Sequence, residues 1–336
     1  MYKIGLITTL DINIGDDLVR KGIIRIVNDI LGPNNVVFLP VNKHKPETIG
    51  PSFDDCDYII QCGAPVLWNG CHKCEWATSV WYDTIGKLYQ RTPVLNIGAG
   101  SCYSFKNIPS TLESRDVEYI RKIHSYCALT TVRDDLANTL LSDLSIKSTL
   151  LPCPSLVAAH NFSDVAEGPV VVNYMHKGGH YDFDGRINPT KWYMELKAAL
   201  SSLSKDNKLL MLCHTKEEMN LAASSFPEYD RVLATTAEDL ISIALKSKFG
   251  ILNRLHAAVA LASVGVPCIA IGNDTRLFMT KYIGIPIYDV SEISSTLILK
   301  ETELMSNNTT EFKERINTLK NSTYTQYINI LKDIIK

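Results

Sequence analysis

The sequence predicts an α/β protein built from two doubly wound parallel sheets, and three observations carry that prediction. Short β-branched runs alternate with stretches whose apolar residues recur about every 3.6 positions, over almost the whole chain. The runs are nearly continuously apolar, as strands covered by helices on both faces should be. The alternation breaks once, at Pro152 to Gly168, and then resumes. A chain of 336 residues is long enough for two domains of ordinary size, at about 150 residues each.

In the first half, strands are expected at Tyr2–Thr9, Asn35–Val41, Tyr58–Cys62, Val94–Ile97, Ala128–Val132 and Thr149–Leu151. Between them, Asp16–Leu31, Trp76–Gln90, Glu113–His124 and Asp134–Leu144 carry helical spacing. Pro152 and Pro154, then a polar stretch from Asn161 to Gly168, continue neither element, because proline fixes φ and removes a donor. Strands resume at Val170–Tyr174, Lys208–Cys213, Phe249–Asn253, Pro267–Gly272 and Pro286–Val290. Helices fit Thr190–Leu203, Lys216–Ser224, Ala237–Lys246, Leu255–Val264 and Thr275–Ile283. The tail Thr309–Ile335 reads as one or two further helices. The expected organisation is a first domain over 1–160, a second over 167–300, and a helical segment over 303–336 packing back toward the first.

Composition narrows the function classes. Lys and Arg number 34 against 36 Asp and Glu, a formal net charge of −2, so nothing electrostatic points to nucleic acid. The longest charge-free apolar stretch, Ala257 to Ile271, is short of the ~20 residues a bilayer requires. At most peripheral membrane association is expected, and Met1–Leu10 reads as a strand rather than a secretory signal. The nine cysteines are odd in number and several sit in apolar runs, which fits reduced, buried thiols and a cytoplasmic location. Cys71-His72-Lys73-Cys74 has the spacing of a zinc half-site, but no second C-x-x-C or H-x-x-x-H accompanies it. No metal is expected.

Ligands in open α/β sheets bind outside the carboxyl ends of the strands, so chemistry is sought there. Asn13-Ile14-Gly15-Asp16 follows the first strand and opens a helix, whose exposed N–H groups suit an anion or hydroxyl; a plain helix cap reads equally well. No G-x-G-x-x-G follows, so this is not a dinucleotide fingerprint. Arg133 ends another strand, where a guanidinium can clamp a carboxylate or phosphate in two-pronged fashion, or pair with Asp134 or Asp135. Arg254-Leu255-His256 ends a third, placing a fixed cation and a titratable imidazole before a helix of small residues, Ala257–Ala262. Asp274 and Arg276 follow the next strand in the same way. His214 and the stretch Met175–His180, with His176, add basic groups at strand ends.

Taken in order, these motifs resemble the polysaccharide pyruvyltransferase family. Asn13, Gly15 and Asp16 match its Asn-x-Gly-Asp turn, and Val132-Arg133-Asp134 its mid-chain element. Arg254-Leu255-His256, the small-residue helix and Gly265-Val266-Pro267 match its most specific block, and Asp274 with Arg276 the basic residue after it. The chain departs from the pattern at Pro152-Cys153-Pro154, at Asp135 and at Gly63-Ala64-Pro65. The resemblance covers roughly residues 3 to 285. It implies two Rossmann-like domains facing across a cleft, as in GT-B glycosyltransferases. The implied activity moves an enolpyruvyl unit from phosphoenolpyruvate to a glycan or lipid-linked sugar as a ketal.

The implied roles follow from that chemistry. Arg254, Arg133 and Arg276 would hold the donor's phosphate and carboxylate, and His256 would protonate the enol carbon. Asp16 would take the acceptor's proton, with Asn13, Gly15, His214 and His176 lining the site. No cofactor is required. A glycosyltransferase using a nucleotide-sugar donor, or a non-catalytic binder of a phosphorylated ligand, remains open at this level.

Overall fold

The computed structural model describes residues 1–10, 13–45, 52–163, 167–179, 181, 183, 185 and 187–335. The chain divides into two compact units: residues 1–103, 107–158 and 322–336 in the first, and 104–106 and 159–321 in the second.

In the first unit, β1 (Tyr2–Thr8), β2 (Val36–Asn42), β3 (Tyr58–Cys62), β4 (Pro65–Leu67), β5 (Val94–Ser101), β6 (Cys127–Val132) and β7 (Thr149–Leu150) form one sheet. Its order is β2-β1-β3-β5-β6-β7, with β4 pairing β5, and every pairing is parallel. Strands β3 and β5 are buried at every position, which is why their sequences show no polar alternation. On one face the sheet residues Ile7, Ile59 and Val94 pack with Trp81, Tyr119, Ile123 and Leu141 from the covering helices. Each such side chain removed from water contributes roughly 1.5–3 kcal/mol. The helix Ile14–Leu31 begins at Asn13, whose side chain accepts the Gly15 N–H at 3.0 Å. It ends at Gly32, where φ is 85°, a conformation glycine adopts without strain.

In the second unit, β8 (Val170–Asn173), β9 (Leu209–Cys213), β10 (Asp230–Leu233), β11 (Phe249–Leu252), β12 (Cys268–Gly272) and β13 (Ile287–Asp289) form a parallel sheet of order β10-β9-β8-β11-β12-β13. Val170, Val172, Leu209, Met211, Phe249, Ile251, Ile269 and Ile271 present one face to Trp192, Leu196, Leu200 and Ile298 of the helices Pro189–Leu203 and Ser295–Asn307. The opposite face meets the helix Leu255–Ser263, buried from Ala257 to Ser263. Gly250 and Leu261 touch there so closely that a β-carbon on Gly250 would lie 2.5 Å from Leu261 Cδ2.

The final helix, Thr309–Lys332, belongs to the second unit up to Asn321 and to the first from Ser322. Lys320 Nζ donates to Ser263 O at 2.7 Å in the second unit, and the Tyr327 hydroxyl to Pro152 O at 3.0 Å in the first. Among the described residues, two strands and one α-helix are absent from the sequence expectation. Strand β10 lies at the edge, two of its four residues exposed, and shows no apolar run. Strand β4 is only three residues long. The helix Ser295–Asn307 buries just Ile298 and Thr302, so its apolar residues show no clear stripe. His180 lies outside the described residues.

Candidate functional site

Strand order locates the place to look in each unit. In the second, the chain runs from β8 outward through β9 to β10, then returns to β11 and runs the other way to β13. The order therefore reverses between β8 and β11, where an open α/β sheet leaves its ligand crevice. Asn173 closes β8, and Asn253-Arg254 follows β11. The Asn173 carboxamide oxygen accepts the Arg254 N–H at 2.9 Å, and its Nδ2 donates to Leu212 O at 2.9 Å and to Glu218 Oε2 at 3.3 Å. Asn253 makes the matching tie on the other side, donating to Ile271 O at 2.8 Å and accepting from Met175 N at 2.9 Å.

Arg254 does not stand alone. Its Nε donates to Glu218 Oε1 at 2.7 Å and its Nη2 to the same oxygen, while Glu218 Oε2 takes the His214 N–H at 2.8 Å. The Arg254 side chain remains 20% exposed against 8% for Glu218. His256 is partly exposed at the start of the small-residue helix, not sealed in the core. Burial pushes the His214 imidazole down to about 4, opposed by Glu218 and helped by Arg254, so it is neutral at pH 7. Arg276 is likewise committed: Nε and Nη2 each meet the Asp274 carboxylate at 2.7 Å, and the guanidinium lies 4.8 Å from the Tyr181 ring centre. His176 is exposed, with Nδ1 3.3 Å from the Tyr174 hydroxyl.

In the first unit the order reverses between β1 and β3. Asp16 sits there, 5% exposed, accepting the Thr9 hydroxyl at 2.5 Å and the Lys43 ammonium at 3.1 Å. Asn13 and Gly15 form the cap before it. His44 is pushed below its usual range by burial and by Lys43, against the pull of Asp16. Arg133 and Asp134 end β6, two strands from this point. Asp134 is structural: it accepts from Ser101 N, Ser101 Oγ and Ala137 N at 2.8–2.9 Å, capping one helix and holding the end of β5. Arg133 is 1% exposed, and its Nε and Nη1 find no hydrogen-bond partner among the described residues.

The C-x-x-C segment gathers groups that spacing did not anticipate. Asp116 accepts His72 Nδ1 at 2.6 Å, Cys71 Sγ at 3.2 Å and the Gly70 N–H at 2.8 Å. The ligand atoms of His72, Glu113 and Asp116 all lie within 4.8 Å of one another. Desolvation raises the Asp116 pKa, but these hydrogen bonds outweigh it, so the carboxylate is held below its usual range. Burial pushes the Cys71 thiol far up, so it is protonated. Every one of these contacts serves to fix the turn at 70–73 to the helix Ser114–Ser125. Among the described residues no disulfide joins any of the cysteines, and no helix is long and apolar enough to cross a membrane.

The sequence reading missed Lys43, Asn173 and Glu218. Lys43 and Asn173 each stand at or just past a strand's carboxyl end, the position that singled out the arginines. Glu218, three residues into the helix after Thr215, is indistinguishable in sequence from an ordinary first-turn acid.

The fold is similar to that of solved epimerases and glycosyltransferases of GT-B type. The MnaA–UDP complex from S. aureus superposes with a TM-score of 0.62 at 10% identity, covering 99% of this chain and 96% of that one. The UDP-GlcNAc 2-epimerase of Neisseria meningitidis, bound to UDP-GlcNAc, gives 0.58 at 10% identity, over 99% and 100%. Sucrose-phosphate synthase from Thermosynechococcus elongatus gives 0.58 at 13%, over 99% of both. No curated protein registers as a match in sequence. The model of the polysaccharide pyruvyl transferase family matches residues 13–275, well over half of the chain. With two parallel α/β sheets of GT-B type and the Arg-Leu-His block at the second sheet's point of reversal, the chain belongs to the polysaccharide pyruvyl transferase family.

Proposed function

We propose that the protein transfers a pyruvyl unit from phosphoenolpyruvate to two hydroxyls of a sugar, forming a cyclic ketal and releasing inorganic phosphate. The observation that carries this reading is Arg254 and His256 following the end of β11, where the second sheet reverses. Arg254 and Arg276 belong to the donor, whose phosphate and carboxylate suit planar guanidinium groups.

The chemistry balances without a redox partner. The imidazolium of His256 gives its proton to the methylene carbon of the enol, leaving an electrophilic carbon that bears the phosphate and carboxylate. One sugar hydroxyl adds to that carbon. A second displaces phosphate by breaking its bond to the same carbon, and the two hydroxyl protons pass to the histidine, which is regenerated, and to the departing phosphate.

The second reading is a transferase using a nucleotide-sugar donor, favoured by the structural neighbours solved with UDP or UDP-GlcNAc. Measuring phosphate release from phosphoenolpyruvate across a panel of sugar acceptors separates the two. Acceptor-dependent phosphate with a mass gain of one pyruvyl ketal on the sugar is expected. No release with any acceptor, alongside UDP formation from UDP-sugars, selects the second.

A further inference from the structure

We infer that Glu218 is a positioning residue: it fixes the Arg254 guanidinium in one orientation and so gives the anion site its selectivity for a donor bearing carboxylate and phosphate together. The inference rests on the pyruvyl-donor reading for the identity of that donor.

Glu218 lies on the helix after β9 yet reaches over the end of β8 to a residue following β11. Its two oxygens receive four donors: Arg254 Nε and Nη2 on Oε1, and His214 N and Asn173 Nδ2 on Oε2. One carboxylate thereby ties the carboxyl ends of three neighbouring strands. With four donors on it, Glu218 has no role as an acid or base. Asn173 completes the clamp by holding both ends of the pair, the Arg254 backbone N–H and the Glu218 carboxylate.

A helix cap accounts for only part of this. Thr215 already accepts the Glu218 N–H at 3.2 Å, and the His214 contact is a local tie of the same kind. The reach to Arg254, 36 residues further along, serves no cap. Nor does stability demand it, since a buried ion pair gains little over apolar packing. What the pair does supply is direction. An arginine held through Nε and Nη2 presents its planar fork at a set angle, whereas an unclamped one is a mobile charge.

Total affinity is not the diagnostic quantity. Glu218 is itself an anion, so removing it strengthens the Coulomb attraction for every anion while loosening the arginine. The two effects separate in a ratio. Dissociation constants for phosphoenolpyruvate and for inorganic phosphate are measured by calorimetry on the full chain, for wild type, Glu218→Gln, Arg254→Lys and the double variant. Melting temperature and the relaxation of the Arg254 Nε–H resonance are recorded alongside. Positioning predicts that preference for phosphoenolpyruvate over phosphate falls about tenfold in each single variant, the loss of one charge-assisted hydrogen bond. The double variant falls no further, because both act through one contact.

A preference that rises in Glu218→Gln, as charge alone would give for the more anionic ligand, overturns the inference. A lowered melting temperature with the preference unchanged also overturns it, leaving only a cap. If wild type binds no phosphoenolpyruvate, the donor reading fails, and the Arg254 resonance decides the clamp. Rigid in wild type and mobile in Glu218→Gln upholds it; equal mobility in both removes it.

Discussion

Lys43 Nζ lies 3.1 Å from Asp16 Oδ2, with the two side chains only 9% and 7% exposed. Taking both charges out of water is expensive, and the pair persists because each offsets the other's desolvation. Lys43→Met strips Asp16 of that partner and is expected to destabilise the protein by about 3–5 kcal/mol. Asp16→Leu alone should cost a similar amount. The double variant should recover most of the loss, since no buried charge is left unpaired. Urea unfolding of the four proteins measures this. Equal, additive losses would show that the pair is solvated rather than coupled.

Arg254 and His256 stand two residues apart and should fail differently. Arg254→Lys keeps the charge and loses the planar fork, so donor affinity should drop ten- to hundredfold, the ~1.5–3 kcal/mol of a charge-assisted hydrogen bond. His256→Ala should leave donor affinity within a few fold and reduce turnover by ~10²–10⁴, the usual share of a general acid. Single-turnover rates beside donor titrations check both. If His256→Ala weakens binding as much as Arg254→Lys does, the histidine is a binding group and the proton comes from elsewhere.

Two desolvated histidines make stability depend on pH. Desolvation holds His124 and His214 down to about 4 from an ordinary 6.5. The unfolded chain protonates at the higher value, so below pH 6.5 it binds more protons than the folded one. Stability is therefore complete above pH 6.5, declines as pH falls to 4, and levels off below that. For His124, 7% exposed, the 2.5-unit gap corresponds to roughly 3 kcal/mol; the more exposed His214 contributes less. Unfolding free energy measured from pH 8 to 4 should show the decline, and His124→Gln should reduce its slope by about one proton. An unchanged slope would mean that His124 titrates normally in the folded protein.

How much of this was legible beforehand depends on the range of the interaction. Strands such as Tyr58–Cys62 and Val94–Ser101 announce themselves because burial on both faces leaves an unbroken apolar run. The Asn13 cap, one of the two readings its position allows, and the Asp274 turn are local, settled by residues two positions away. Arg254 and His256 are candidates because a strand end followed by a small-residue helix is visible in sequence. Their setting was not. Glu218 meets Arg254 across 36 residues and Lys43 meets Asp16 across 27, and only the strand order brings either pair together. Of the second sheet's two arginines, Arg254 is paired across that distance with Glu218 and Arg276 locally with Asp274, so neither is the bare cation its strand-end position suggests.

Gly22 gives the sharpest test of packing near Asp16. By helix propensity alone, Gly22→Ala in the middle of Ile14–Leu31 should stabilise the protein by about 1 kcal/mol. The opposite is expected. A β-carbon there would run into the Pro154 carbonyl, a backbone atom that cannot swing aside. Pro154 begins the short 3₁₀ turn Pro154–Val157, which is pinned to the same helix by Arg25 Nη1 donating to Val157 O at 2.8 Å. Either the turn or the helix must move, at the ~1–3 kcal/mol typical of overpacking, outweighing the propensity gain. If the helix moves, it carries Asp16 away from Lys43 and Thr9, so the coupling between Lys43 and Asp16 should weaken as melting temperature falls. If the turn moves, only stability should fall. A Gly22→Ala protein that melts higher than wild type would show that the helix and the turn are not in contact.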